Sequence, residues 1–113
     1  MALSSALTVN EAISQLNQRA GTPVCVVGIL RFDFEDVSLW HFPKAERGEY
    51  KDSSLWLSTG YGSLQFDERA MRRLNGHRVQ VLGTLHGPDP ELGGCGHMSG
   101  FSAEILVSSI DRL

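Results

Sequence analysis

Apolar side chains return at helical intervals near the start of the chain, where Val9, Ala12, Ile13, Leu16 and Ala20 share one face of TVNEAISQLNQRAG. Thr8 with Glu11 makes a capping-box pattern, and Gly21 followed by Pro23 supplies a stop, so the spacing predicts one helix over residues 8–20. The pattern then changes. VCVVGILRFDF, residues 24–34, is rich in β-branched and aromatic residues and nearly continuous in its first half, as in a strand buried on both faces. Gly28 in mid-run predicts a bulge or a sharp coil of that strand. VSLWHF, residues 37–42, alternates Val37, Leu39 and His41 against Ser38, Trp40 and Phe42. SLWLS, residues 54–58, sets Leu55 and Leu57 against Trp56.

Between these two strands PKAERGEYKDS is polar and carries Pro43 and Gly48, which predicts a surface loop. DERAMRRLNG places Asp67 as an N-cap and ends at Asn75-Gly76, a short helix over 67–75. HRVQVLGTLH, residues 77–86, alternates again, with Gly83 as a second bulge candidate. After the glycine-rich GPDPELGGCGHMSG, FSAEILVSSI forms the last strand. The expected order is helix, three strands, helix, two strands, in one domain covering 1–113 with no repeat or linker.

Five strands left as an open sheet would expose two edges, and closing them into a barrel removes both. With a helix between strands three and four and a glycine bend in a long first strand, the order resembles the OB-fold, a five-stranded Greek-key barrel. Leu74-Asn75-Gly76-His77-Arg78-Val79-Gln80-Val81-Leu82-Gly83 is similar to the helix-end and fourth-strand signature of such domains. That resemblance implies a mainly-β fold with two short helices, an OB-like five-stranded barrel over 23–113 preceded by the N-terminal helix. Val26 to Leu30, Leu55-Trp56-Leu57, Gly76 to Thr84 and Gly96-His97-Met98 also resemble a group of small bacterial OB-like proteins, many of them lipoproteins. The group brings no activity to transfer, and this chain departs from it by lacking a lipobox-type signal and by carrying Cys95.

Composition narrows the classes. A chain of 113 residues with 42% hydrophobic and 20% charged residues has the balance of a soluble globular domain. The formal charge of −3 disfavours a generic grip on phosphate backbones. MALSSALTVNEA has no basic n-region and its apolar positions are interrupted by Ser, Thr and Asn, so neither a signal peptide nor a membrane anchor is expected, and a cytoplasmic location is. Cys25 in an apolar run and Cys95 in a glycine loop are expected to be two free thiols.

The chemistry-bearing positions are few. His86, Cys95 and His97 offer three donors for a metal, but His-x8-Cys-x-His matches no common zinc spacing, so no metal and no cofactor is expected. Cys95 with His97 lacks an orienting carboxylate, and the chain reads as a non-enzyme. The aromatic set carries more. If Leu39, Leu55 and Leu57 face the core, Trp40, Phe42 and Trp56 share the other face, with Tyr61, Phe101 and His97 bordering it. The opposite register would place the indoles in the core. Residues 33–52 hold six acidic against three basic side chains, so an exposed platform there would have an acidic rim, suited to a protein partner and repelling single-stranded nucleic acid. Arg69, Arg72, Arg73 and Arg78 are expected on the opposite side. The expectation is a non-catalytic protein-binding module, of a bacterial immunity or regulatory type; the alternative is a single-stranded nucleic-acid-binding OB domain.

Overall fold

Thr8 begins the helical segment as the spacing predicts: its hydroxyl accepts the Glu11 amide at 3.2 Å while the Glu11 carboxylate accepts the Thr8 amide at 2.9 Å. The computed structural model describes residues 6–33, 36–48, 53–58, 68–87, 101 and 103–113. Within them the fold is mainly β, with three short helices and a six-stranded sheet. The single helix expected over 8–20 is two, α1 (Val9–Ser14) and α2 (Leu16–Arg19), because the Ser14 hydroxyl bonds back to the Glu11 carbonyl at 2.9 Å and competes for the acceptor that Gln15 N–H also uses. Gln15 then sits at φ −100°, ψ 14°, and its own carbonyl starts the second turn. Val9 and Ala12 enter the core, whereas Ala20 is exposed.

The strands are β1 (Leu7–Thr8), β2 (Pro23–Asp33), β3 (Asp36–Trp40), β4 (Ser54–Ser58), β5 (Arg78–His86) and β6 (Glu104–Arg112), with α3 (Glu68–Leu74) between β4 and β5. The two-residue β1, absent from the sequence reading, pairs in parallel with β2 through Leu7 and Thr8. Strand β2 is long enough to serve different partners along its length. Pro23 to Ile29 pair with β5 on one edge, and Ile29 to Asp33 pair with β3 on the other. From β3 the pairing runs to β4, from β4 to β6, and from β6 back to β5. The seam between β4 and β6 is parallel and three residue pairs long, and β1 adds a sixth strand, so the sheet is not a clean barrel.

Period-two alternation places Leu30, Leu39, Leu55, Leu57, Val79, Val81, Leu85 and Ile105 in one core, to which α1 adds Val9 and Ala12 and α3 adds Met71. The β2 edge continues past β5 into the turn after α3. Gly76, at φ 82°, donates to the Leu30 carbonyl, Leu30 donates to His77, and Phe32 N–H finds the Asn75 side-chain oxygen at 2.9 Å. The predicted stops at Gly21 and Gly76 are both left-handed glycines.

Both strand glycines admit a close neighbouring backbone, the Leu106 carbonyl at Gly83 and the Trp40 carbonyl at Gly28, but only one of them accompanies a register shift. A register shift falls between Leu82 and Gly83, where β6 carries one extra residue, Ser108, as the bulge expectation requires. At Gly28 there is no shift in either ladder. The β3 backbone lies so close there that an added Cβ would meet the Trp40 carbonyl at 2.5 Å. Gly28→Val is therefore expected to cost at least about 2 kcal/mol by overpacking, read as a lowered urea midpoint at unchanged slope.

The capping box predicts a pH dependence. The Thr8 amide, and next its hydroxyl, hold the exposed Glu11 carboxyl below its ordinary value of 4.5. A depressed carboxyl stabilises the fold fully above its unfolded value, and that contribution disappears as the pH falls through the lowered one. The melting-temperature gap between wild type and Glu11→Gln should be complete at neutral pH and close on acidification, followed by circular dichroism.

Candidate functional site

Strand register decides what the aromatic residues face. Leu39 pairs with Leu55 on the core side, which turns Trp40 and Trp56 to the other face together with Ile29, Arg31, Ser38 and Ser54. The indoles are thus outside the core, as the first register reading expects, but they are half-buried rather than open. Phe42 is the exposed ring, with 40% of its surface accessible. Phe101 corrects the sequence reading: it is 2% exposed and packs against Trp56 at 5.5 Å between ring centroids, so it supports that indole from within and offers no contact of its own. Tyr61 and His97, the remaining candidates for this face, lie outside the described residues.

Charge adds what the count of the window does not contain. Among the described residues, the charged groups over the rings are guanidiniums. Arg31 and Arg47 lie 5.7 and 5.5 Å from the Trp40 ring centre, and Arg78 lies 4.5 Å from that of Phe42. The window 33–52 misses two of these three because the sheet imports them. Ile29 pairs with Trp40 on one side and with Arg78 on the other, so Arg78 stands one strand away from the aromatic face instead of on the opposite side, where the sequence reading expects it. Of the window's carboxylates, Asp36 is held by Arg31 at 3.3 Å and Glu46 by His41 at 2.8 Å, and Asp33 is exposed at the end of β2; Glu35, Glu49 and Asp52 lie outside the described residues.

A polar relay fixes Trp40 from below. Its indole N–H donates to the buried Ser38 hydroxyl at 2.9 Å, and Ser38 donates to Asp36 at 2.7 Å, which in turn takes Arg31. A second relay fixes Arg47. Its Nε donates to the His41 carbonyl at 2.8 Å. His41, 2% exposed, accepts the Asn10 amide on Nδ1 at 3.1 Å, which puts the ring proton on Nε2 facing Glu46. Asn10 also donates its side-chain amide to the Glu46 carbonyl, so α1, the 3-10 turn Lys44–Glu46 and β3 are tied at one point. Sequence alternation places His41 on the core face, but its role as this tie depends on Asn10, thirty-one residues away.

Between the relays lies a groove of about 260 Å³ lined by Ile29, Leu30, Arg31, Trp40, Arg47, Asn75 and Gly76. A larger groove, about 440 Å³, runs beside Leu7, Arg19, Cys25 and Gly83. Its Cys25 is a free thiol, buried, and burial pushes its pKa up, away from the nucleophilic thiolate. His86 is half-buried at the end of β5 opposite Glu104, while its companions in the metal candidate set, Cys95 and His97, lie outside the described residues. Among the described residues no three His, Cys, Asp or Glu side chains gather as a metal site, and no helix is long and apolar enough to cross a membrane.

Ser38→Ala removes both the acceptor of the indole and the partner of Asp36. It is expected to cost about 1–2 kcal/mol in urea unfolding and to shift tryptophan emission as Trp40 loosens. No protein-family model matches the chain, and no curated protein matches it closely enough to count as a relative.

Proposed function

We propose that the chain is a non-catalytic, OB-like binding module that recognises another protein through the face built on Trp40 and Phe42. The observation that carries this reading is Phe42, an exposed ring beside a groove walled by an indole and two arginines. Trp, Arg and large apolar rings held in fixed orientation are the side chains that dominate protein interfaces. The OB-like reading is supported by the pairing order, in which each of the five longer strands pairs with two others of the five and the closing pair, β4 with β6, is parallel. Helix α3, between β4 and β5, stands where the resemblance places it. A regulatory or immunity-type protein of the bacterial cytoplasm is the biological setting that fits a small module of this kind.

One observation favours the second reading, a single-stranded nucleic-acid binder: the rings are flanked by cations, which a phosphate could meet. Against it, Trp56 is packed on Phe101 and the Trp40 N–H is engaged by Ser38, so among the described residues no row of open rings awaits successive bases.

Immobilised wild-type chain should retain a protein from a bacterial lysate that Phe42→Ala retains at least about tenfold less, with nuclease treatment making no difference. Equal retention by both would remove this face from the function, and loss on nuclease treatment would move the assignment to nucleic acid.

A further inference from the structure

The three arginines define the chemistry of what the face receives: we propose that its partner presents an acidic segment, with carboxylates seated on Arg47, Arg31 and Arg78 and an apolar side chain laid on Phe42. This rests on the binding-face reading above and adds the partner's chemistry to it.

Charge complementarity carries the proposal. Of the three arginines Arg31 is ion-paired, its Nε meeting Asp36. Arg47 and Arg78 contact rings and, for Arg47, a carbonyl. A ring face or a carbonyl holds a guanidinium in place without neutralising it, and the planar fork then suits a carboxylate from outside. Preorganisation strengthens the case. Arg47 is half-buried with Nε locked on the His41 carbonyl, and His41 is itself locked by Asn10 and Glu46, so little freedom remains to be lost on binding. Arg31 and Arg78 are exposed.

The groove also discriminates between anions. At about 260 Å³ it has room for one or two side chains. The chain is net negative and Asp33, Asp36 and Glu46 stand on the flanking segments, so a polymer charged at every unit meets repulsion at each step beyond the three arginines. A protein segment can space its carboxylates to match the cations and place an apolar residue over Phe42 and Ile29.

Fluorescence anisotropy of three labelled probes against the full chain tests this: a glutamate-rich peptide containing leucine, a lysine-rich peptide containing leucine, and oligo-dT. The glutamate peptide should bind at about 20 mM salt and weaken markedly by about 200 mM. Arg78→Gln and Arg47→Gln should each weaken it about tenfold, and Arg19→Gln, on α2 beside the opposite end of β5, should not. Because Arg47 also braces His41, Arg78→Gln is the deciding variant, with folding checked by circular dichroism. Tighter binding of the lysine peptide, no binding of the glutamate peptide at low salt, or an unchanged Arg78→Gln would overturn the proposal. Oligo-dT bound more tightly than the peptide, and lost in the same variants, would overturn it in favour of nucleic acid. If the acidic peptide fails while the lysate protein still depends on Phe42, the face stands and only its acidic partner is lost; failure of both removes the face as well.

Discussion

The double use of β2 is the constraint from which the rest of the molecule follows. Ile29 is where the β3 and β5 ladders meet, paired with Trp40 on one side and Arg78 on the other, and the two ladders separate from there in opposite directions. Such stagger is what bends a sheet round towards itself. It also determines which side chains can meet. Residues from β3 and β5, which are not neighbours in the pairing order, are brought within one strand's width of each other across β2. The stacking of Arg78 on Phe42 is a product of that geometry. Gly28, one residue before the crossing, is where the β3 backbone comes closest, so the chain has no room for a side chain where its two ladders overlap.

A second tie works across the loops. His41 collects a donor from α1, a carboxylate from the 3-10 turn and, through its backbone, bonds to Ser53 and Arg47. A buried imidazole with both nitrogens engaged is a structural joint, and it joins the segments that deliver Arg47 to Trp40. Binding surface and fold are therefore not separable here: the cations of the face are positioned by groups that also hold the N-terminal helix to the sheet.

Features set within a few residues of one another were legible in the sequence. The Thr8–Glu11 box, the left-handed glycines at 21 and 76 and the limits of β4 follow from local propensity and period, and alternation groups Leu39, Leu55 and Leu57 on one face while leaving open which face is inward. The break at Ser14 was not legible, since its back-bond to Glu11 needs the helix to exist before it can break it. The character of the aromatic face was not legible at all. A count of charges between residues 33 and 52 assumes that chain neighbours are spatial neighbours, whereas Arg31 and Arg78 come from outside that window through pairing. Phe101 was misjudged for a related reason: alternation says which side a residue takes, but not that a neighbouring indole will cover it.

The Asn75-Gly76 step has a chemical consequence. An asparagine followed by glycine is the dipeptide most prone to close a succinimide ring, the glycine nitrogen attacking the side-chain carbonyl carbon. Here that nitrogen is committed to the Leu30 carbonyl and the side-chain oxygen to the Phe32 amide, so the two reacting groups are held to different partners on β2. The spontaneous ageing of this bond is accordingly gated by detachment of the turn from that edge, and isoaspartate accumulating at residue 75 would serve as a slow chemical record of how often it lifts away.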